Sequence, residues 1–353
     1  MLRIAQLTRQ RNTGFSLVEI MVGMVIGLFG IIIMMQVFAL AEERKRTTTG
    51  GSDSMSEGVI AMYGMQRDIR QGGFGLAAPG MFGCSVTLSG VNMPLAPVTI
   101  NPAATIVPAG DANTDTLLVY YGNPAGETQG VTYTAGTVNL LTTNYYVVNT
   151  PCNPSPISTG VTSLAVSGTL YDLGTAPKVQ AYAIRSGNLT VCDYVANDCS
   201  VAAGTTNPAI WVPIANNIVS LRAEYGRDVN TAITNPIPDP PPGYIVDTYD
   251  QTTPSGTATQ IQCGWARIVA VRLALVARSA QFEKTAVTDA APVWDGSVVN
   301  AAAAPFNPTA VPIDLTSNPD GSANANWRNY RYKLFQTVVP IRNVAWLGWQ
   351  AGC

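Results

Sequence analysis

The stretch Gly14-Phe15-Ser16-Leu17-Val18-Glu19 joins a short basic leader to a long apolar run that contains one carboxylate. The run extends from Phe15 to Leu40, and a helix of this length measures roughly 39 Å at 1.5 Å per residue. That is enough to cross the hydrocarbon core of a bilayer, which is about 30 Å thick. Three arginines and no acidic residue precede the run. The positive-inside rule therefore predicts a cytoplasmic N-terminus, with the bulk of the chain on the other side.

Glu19 is the unusual residue of this run. A charged side chain in hydrocarbon is costly, and it is usually paired or functional. A plain signal anchor would explain the apolar run but neither Gly14 nor Glu19. A secretory signal peptide needs an apolar stretch of about 7–15 residues before a small-x-small cleavage site. Ala39-Leu40-Ala41 has this form, but the apolar run ahead of it is longer and contains Glu19.

The basic leader, the Gly14–Phe15 bond and Glu19 together resemble the processing and assembly signal of type IV prepilins. The resemblance implies that a prepilin peptidase removes residues 1–14 by cleaving between Gly14 and Phe15, and then methylates the new amine of Phe15. It also implies that Glu19, the fifth residue of the mature chain, pairs with the terminal amine of a neighbouring subunit during assembly.

The composition predicts an exported protein rather than an enzyme. Charged residues make up 12% of the chain, and there is no histidine. This excludes Ser-His-Asp and Cys-His catalysis and histidine-based metal sites, because each of them needs an imidazole. No motif indicates a cofactor, and Asp247, Asp250 and Asp320 are better explained as solvated loop acids than as calcium ligands. No basic run lies outside residues 42–46, so we predict no nucleic-acid contact.

Six cysteines follow the apolar run, and an even number in an exported chain favours disulfide bonds. Cys192 and Cys199 form the favoured pair, since they close a short loop after a predicted strand. A bond between Cys263 and Cys353 is a plausible second pair, which would tie the end of the chain to a late strand. The remaining pair, by elimination, is Cys84–Cys152. One or more free thiols remain the alternative.

Residues 41–73 predict an amphipathic helical segment. Thr47 to Gly51 are poor helix formers and predict a weak point or a bend. Gly72-Gly73 predicts the end of the helix. Between Gly51 and Gly72, apolar residues recur at helical spacing. They predict a stripe that packs on the protein's own sheet, while a second face of the helix contacts neighbouring helices. The stripe consists of Met55, Val59, Met62 and Ile69.

From residue 74 onward the pattern is typical of strands and turns. Ser186-Gly187-Asn188 predicts a hairpin turn. Two segments near 230–262 and 282–325 lack periodicity and predict long loop insertions, a kind of segment that often carries binding. The expected fold class is α+β, with a long N-terminal membrane-spanning helix packed on an antiparallel, disulfide-bonded β-sheet head at 74–353. The predicted strands lie within 115–121, 179–182, 189–191, 214–225, 268–276 and 330–339.

Three later stretches, residues 218–228, 271–279 and 332–343, resemble minor pilins of the PilW type, as does the helix end at 66–73. The resemblance implies a pilin-like fold and a subunit of the type IV pilus without catalytic residues. Its partners would be other minor pilins, the major pilin and a tip adhesin. Together they would prime pilus polymerisation and occupy the pilus tip. Such pili serve motility, attachment or DNA uptake.

The resemblance also implies a location. The subunit would cross the inner membrane once with its head in the periplasm, and it would become part of an extracellular pilus after assembly. Two alternatives stay open at this point. A large minor pseudopilin of type II secretion would share Gly14, Phe15 and Glu19. A membrane-anchored periplasmic binding protein or enzyme belongs to another class, and the missing histidines argue against its enzymatic form.

Overall fold

The chain forms two compact units, residues 1–50 and 51–353. The computed structural model describes residues 14, 16–75, 82–122, 131–139, 145–149, 155–156, 163–172, 174–228, 245–294, 296 and 311–345.

The longest element is the helix α1, which extends over 55 residues from Leu17 to Gln71. The segment Leu17–Glu42 is long and apolar enough to cross a membrane. Thr47 to Gly51, the expected weak point, remain helical. The helix penalty of Thr or Gly is at most about 1 kcal/mol per residue, which an already nucleated helix tolerates. The helix ends immediately before Gly72, as predicted.

The described part of the head is built mainly from short strands. Two further helices are α2, Ala258–Ala266, and α3, Arg342–Ala345. In chain order the strands are β1 Ser85–Leu88, β2 Val91–Pro94, β3 Val98–Ile100, β4 Leu117–Tyr121, β5 Val131–Asn139, β6 Tyr146–Asn149, β7 Ser155–Pro156, β8 Ser163–Asp172, β9 Lys178–Arg185, β10 Asn188–Asp193, β11 Val212–Ala215, β12 Ile218–Arg227, β13 Thr248–Asp250, β14 Ile268–Arg278, β15 Val293–Trp294, β16 Val311–Pro312 and β17 Tyr332–Pro340.

Two antiparallel sheets dominate the head. One has the strand order β11-β10-β9-β4-β3, and the other has the order β13-β12-β14-β17. Smaller sheets have the orders β2-β1-β7, β5-β8-β6 and β15-β16, and the pair β1–β7 is parallel. The predicted α+β fold class with an antiparallel head is therefore confirmed. The strand predicted at 214–225 is divided into β11 and β12 by Asn217, which has a left-handed φ of 55°.

The predicted hairpin joins β9 and β10. Arg185 pairs with Asn188 across a two-residue turn. Both turn residues have positive φ, 50° at Ser186 and 71° at Gly187. This backbone matches the right-handed twist of paired strands, and glycine adopts it without a steric penalty.

The strand β14 lies between β12 and β17 and has ten buried residues before the half-buried Arg278. Its Leu273 and Leu275 belong to the main core, while Ala274 and Val276 pack in a second cluster with Trp294. The burial of both faces explains why the strand is almost wholly apolar, interrupted only by Arg272 before its last residue, rather than alternating.

The predicted loop insertions contain regular elements. Part of the first insertion forms β13 and the start of α2, where Thr257 and Gln260 make a reciprocal capping box. Part of the second forms the β15–β16 pair, which helps to cover the outer face of β14. Single short strands and caps carry too little periodicity to stand out in such Pro-rich and Ala-rich sequence.

Asp115 joins the two main sheets. It precedes β4, and its carboxylate accepts hydrogen bonds from Nδ2 of Asn101 at 2.9 Å, the backbone N–H of Ala223 at 2.9 Å and Nε2 of Gln251 at 2.8 Å. Nε of Arg222 lies 3.9 Å away. Burial raises the pKa of the Asp115 carboxyl, and the charge of Arg222 acts in the opposite direction. A fully bonded carboxylate therefore fixes the two sheets against each other.

The predicted bond between Cys192 and Cys199 is confirmed, with their Cα atoms 5.9 Å apart. Cys84 and Cys263 are also disulfide-bonded. Cys152 and Cys353 lie outside the described residues, so the other two pairings stay predictions.

Candidate assembly site on the N-terminal helix

The predicted processing segment precedes α1. Gly14 and Ser16 are exposed and belong to no helix or strand. No atom lies within 4 Å of the position that a Cβ of Gly14 would take. Phe15 lies outside the described residues. A peptidase needs an accessible, non-helical backbone, and the residues on both sides of Phe15 meet that requirement.

Glu19 lies in the first turn of α1, where its N–H donates to the carbonyl of Ser16 at 3.0 Å. Its side chain is exposed, and within the described part of the chain it makes neither a hydrogen bond nor an ion pair. The positive end of the helix dipole favours a carboxylate at this position. Among the described residues, however, no side chain supplies the specific partner that a charge on an apolar helix requires.

The apolar residues around Glu19 have no partner in the described structure either. From Leu17 to Leu40 every large hydrophobic side chain is exposed, with exposed fractions between 47% at Ile32 and 78% at Phe38. A continuous apolar surface of this length marks contact with lipid or with other proteins.

The second part of α1, residues 51–71, buries one stripe in the head. The burial of Met62 and Ile69 was predicted, but Met55 and Val59 are exposed by 52% and 53%, so half of the predicted stripe was wrong. The true stripe follows a spacing of four and three residues, and small or polar side chains occupy several of its positions. Its members include Ser54, Gly58, Ala61, Met65 and Asp68.

Gly58 shows why hydropathy alone did not locate this stripe. A Cβ at Gly58 would lie 2.0 Å from Cε2 of Phe335, so the ring of this β17 residue occupies the space above the glycine. Further along the helix, Nε2 of Gln66 donates to Oγ1 of Thr337 at 2.9 Å. The helix therefore runs alongside β17 in the same direction and in close contact with it.

Asp68 is the polar anchor of this packing, and the sequence did not single it out. Its carboxylate accepts hydrogen bonds from the hydroxyls of Tyr182 at 2.5 Å and Tyr121 at 3.3 Å, and from Nε of Arg67 at 3.0 Å. Asp68 is only 3% exposed. Burial raises the pKa of Tyr182, and the negative charge of Asp68 raises it further.

The end of α1 is fixed by Asn343 in α3. Its Nδ2 lies within 3.1–3.3 Å of the carbonyl oxygens of Arg70, Gln71 and Gly72, which have no partner within the helix. Gly73 then adopts a φ of 80° and donates its N–H to a carbonyl of β4. A side chain other than glycine would be strained in this conformation.

The opposite face of the same segment is apolar and exposed. Its members lie about four residues apart and point away from the buried stripe. They are Met55, Val59, Ile60 and Tyr63.

The loop acids considered as calcium ligands have partners in the protein. Asp250 pairs with Nε of Arg227 at 2.7 Å, and Asp320 accepts hydrogen bonds from the backbone and hydroxyl of Ser322. Within the described residues, no three His, Cys, Asp or Glu side chains are grouped to hold a metal ion.

Two known protein families match parts of this chain, one near the N-terminus and one in the second half. The family described as type IV pilus-assembly protein W matches residues 182–343. The prokaryotic N-terminal methylation motif matches residues 9–35. No curated protein and no solved structure matches the chain. The second match includes Gly14, Phe15 and Glu19, and the first includes the strands that run alongside α1. The two matches together support a type IV pilus minor pilin of the PilW group.

Proposed function

We propose that this minor pilin primes assembly of the type IV pilus from the inner membrane and remains at the pilus tip with other minor pilins. The observation that carries the proposal is one helix with two different parts. Its exposed N-terminal part bears a carboxylate that pairs with no described residue, and its C-terminal part is anchored in the head. Such a helix holds the head at a membrane and leaves Glu19 available to another subunit.

Processing comes first in the proposed sequence of events. Prepilin peptidase cleaves between Gly14 and Phe15 on the cytoplasmic side and methylates the new amine of Phe15. The exposed, non-helical position of Gly14 and Ser16 supports this step. Cleavage removes the charged leader and creates a positively charged terminus within reach of the apolar segment.

Glu19 then recruits the subunit. In a medium of low dielectric constant, opposite charges attract far more strongly than in water, and a carboxylate without a partner is penalised. The terminal amine of a neighbouring pilin supplies the missing partner.

The exposed apolar face of the second part of α1 continues the same contact. Met55, Val59, Ile60 and Tyr63 lie opposite the stripe that is buried in the head. Helices of neighbouring subunits would cover them in the pilus. Their burial would add hydrophobic stabilisation, at about 25 cal/mol per Å² of apolar surface, to the charge pair at Glu19.

The size of the head supports a terminal position. The predicted head comprises residues 74–353, and its described residues form two main sheets and three smaller ones. A head of this bulk fits more easily at the end of a filament than at every position along a tightly packed one. At the tip it would contact other minor pilins and an adhesin.

Deletion of the gene tests this proposal. We expect the loss of most surface pili, and their return when retraction is blocked, because a missing primer reduces the number of growing filaments rather than the ability to polymerise. Electron microscopy of cells with and without the retraction motor measures both numbers. Normal pilus numbers in the deletion strain would contradict a priming role.

The pseudopilin alternative is tested by the same strain. A type II secretion subunit would leave pilus numbers unchanged and would reduce the secreted amount of the system's exoproteins. Quantifying both in one culture separates the two roles. The match of residues 182–343 to a pilus-assembly family favours the pilus.

A further inference from the structure

The head contains a polar cavity of about 80 Å³, lined only by residues of the second unit. Three parts of the head meet the loop after β16 at this cavity. They are the end of β14, the start of β17 and the β9–β10 turn. This loop belongs to the second predicted insertion. The residues that line it include Asp111, Ser186, Gly187, Arg278, Asp314 and Tyr332.

Arg278 is the cavity residue with unused hydrogen-bond donors. The carbon at the centre of its guanidinium lies 4.5 Å from the centre of the Tyr330 ring, so the group is stacked and held in place. Its Nε is buried and has no acceptor. Among the described residues its side chain makes no ion pair. A fixed guanidinium with free donors matches the planar shape of a carboxylate.

The two carboxylates of the cavity wall are already engaged elsewhere. Asp111 accepts the backbone N–H groups of Ser186 at 2.8 Å and Gly187 at 2.7 Å. Asp314 accepts the backbone N–H of Thr316 at 2.8 Å and its hydroxyl at 2.6 Å. Both groups are thus fixed by the protein itself. Asp314 also accepts hydrogen bonds from Nδ2 of Asn113 at 2.5 Å and from the hydroxyl of Ser317 at 3.0 Å, so all of its lone-pair sites are occupied. Each oxygen of Asp111 accepts one hydrogen bond and can still accept a hydroxyl hydrogen.

The start of β17 forms one wall of the cavity. Arg278 is paired with Tyr332, the first residue of β17. Three residues later, Phe335 covers Gly58 of α1. A rise of about 3.3 Å per residue displaces Tyr332 about 10 Å along β17 from Phe335, and the side chains of these two residues lie on opposite faces of the sheet.

We propose that this cavity binds a hydroxylated carboxylate. The carboxylate would lie on the guanidinium of Arg278, and a hydroxyl of the same ligand would donate to Asp111. An inorganic dianion is disfavoured, because the two wall carboxylates repel it. A whole drug-sized ligand is also excluded, because such ligands occupy pockets of about 300–1,000 Å³.

Two sources present this chemistry. One is a free sugar acid, and the other is an Asp or Glu side chain next to a Ser or Thr on a neighbouring pilin. Binding by the cavity does not depend on the proposed priming role. The two ideas can therefore fail independently, since a deletion strain tests priming and a point variant tests the cavity.

The first experiment titrates the full-length protein in detergent micelles with glucuronate and follows binding by calorimetry. We expect saturable binding that Arg278→Gln weakens at least tenfold. Glucose, which lacks the carboxylate, and inorganic phosphate should bind at least tenfold more weakly than glucuronate. Lys333→Gln is the matched control. It removes one exposed positive charge from β17 outside the cavity, and we expect less than a twofold change.

The second experiment measures co-purification with the other minor pilins of the same pilus system. If glucuronate does not bind but Arg278→Gln lowers co-purification at least tenfold while Lys333→Gln does not, the carboxylate comes from a neighbouring subunit. If Arg278→Gln changes neither measurement, or if it and Lys333→Gln have equal effects, the proposal is overturned. Arg278→Lys keeps the charge but not the planar fork. Arg278→Lys should therefore lower glucuronate affinity, or co-purification if that is the affected measurement, at least threefold. If Arg278→Gln does not fold, Arg278→Lys takes its place in both experiments.

Discussion

The two parts of α1 differ in how much of their surface the described residues of the chain bury. In the first part, up to Leu40, every large apolar side chain is exposed. In the second part, residues 51–71, one stripe is buried against β17 of one main sheet and against β4 and β9 of the other, and its positions recur every three or four residues. One continuous helix therefore combines an apolar surface that no described residue covers with a stripe that the described part of the head buries.

Two carboxylates on this helix show the same contrast. Asp68 is buried and accepts three hydrogen bonds from side chains of the protein itself. Glu19 is exposed, and its side chain makes no hydrogen bond or ion pair with any described residue. A buried carboxylate with three donors contributes to folding, whereas an unpaired one on an apolar surface gains only from another molecule. The comparison predicts that changes in the first part affect assembly and that changes in the second affect stability.

The largest effect is expected at Gly14. Gly14→Val should leave the protein as uncleaved precursor, because the peptidase requires a glycine before the cut. Gly23→Val is the matched control, since neither glycine has a neighbouring atom within 4 Å of its Cβ position. Immunoblotting and mass spectrometry of the N-terminus measure cleavage and methylation. A mature product beginning at Phe15 in the Gly14→Val strain would refute the assigned cleavage site.

Glu19→Ala should have the next largest effect. The variant should insert normally into the membrane, because an apolar side chain is easier to insert than a charged one. Its co-purification with the other minor pilins should fall at least tenfold, because the terminal amine of the partner loses its counter-charge. Gln36→Ala, another polar-to-apolar change in the same run, is the control. Equal recovery of partners with Glu19→Ala and with the unaltered protein would remove the role of the charge pair.

Asp68→Ala should destabilise the head without affecting processing. The hydroxyls of Tyr182 and Tyr121 would lose a charged acceptor, and hydrogen bonds to charged groups contribute about 1.5–3 kcal/mol. Denaturant unfolding of the full-length protein in micelles, followed by tryptophan fluorescence, measures the loss of unfolding free energy. Arg67→Ala is the control. The Arg67 side chain is 61% exposed, so this variant should cost less than about 1 kcal/mol. Equal losses in the two variants would assign the anchor to the ion pair instead.

The sequence reveals local features of this contrast better than distant ones. The spacing of Gly14 and Glu19, the hairpin turn at Ser186-Gly187 and the almost wholly apolar run of β14 are each contained in a few consecutive residues. Periodicity or turn chemistry is enough to predict such features.

Distant features could not be predicted in this way. Gly58 is buried because Phe335 fills the space above it, and a glycine carries no hydropathy signal. Asp68 appears solvated beside Arg67, but its partner Tyr182 is 114 positions away in the chain. The polar cavity likewise brings Arg278 together with carboxylates from two other segments. Only the fold places these groups side by side.

The smallest expected effect is a change in the pH dependence of stability. The folded protein holds the pKa of Tyr182 above 10, because the hydroxyl is buried and bonded to the charged Asp68. In the unfolded chain the group ionises near pH 10. Above that pH the unfolded state therefore binds fewer protons than the folded state, and the unfolding free energy falls as the pH rises. One such group contributes a slope of at most about 1.4 kcal/mol per pH unit.

Tyr182→Phe isolates this contribution. The variant lacks the ionisable group, so its unfolding free energy should fall less steeply between pH 10 and 11 than that of the unaltered protein. Tyr63→Phe is the matched control, because Tyr63 lies on the same helix as Asp68 but points away from the head and is exposed. Denaturant unfolding at several pH values measures the slopes. If Tyr182→Phe leaves the slope unchanged, the Tyr182 hydroxyl is not held in its neutral form by Asp68. The anchor of α1 would then depend on the apolar stripe, and the contrast between Asp68 and Glu19 would be weaker than the structure indicates.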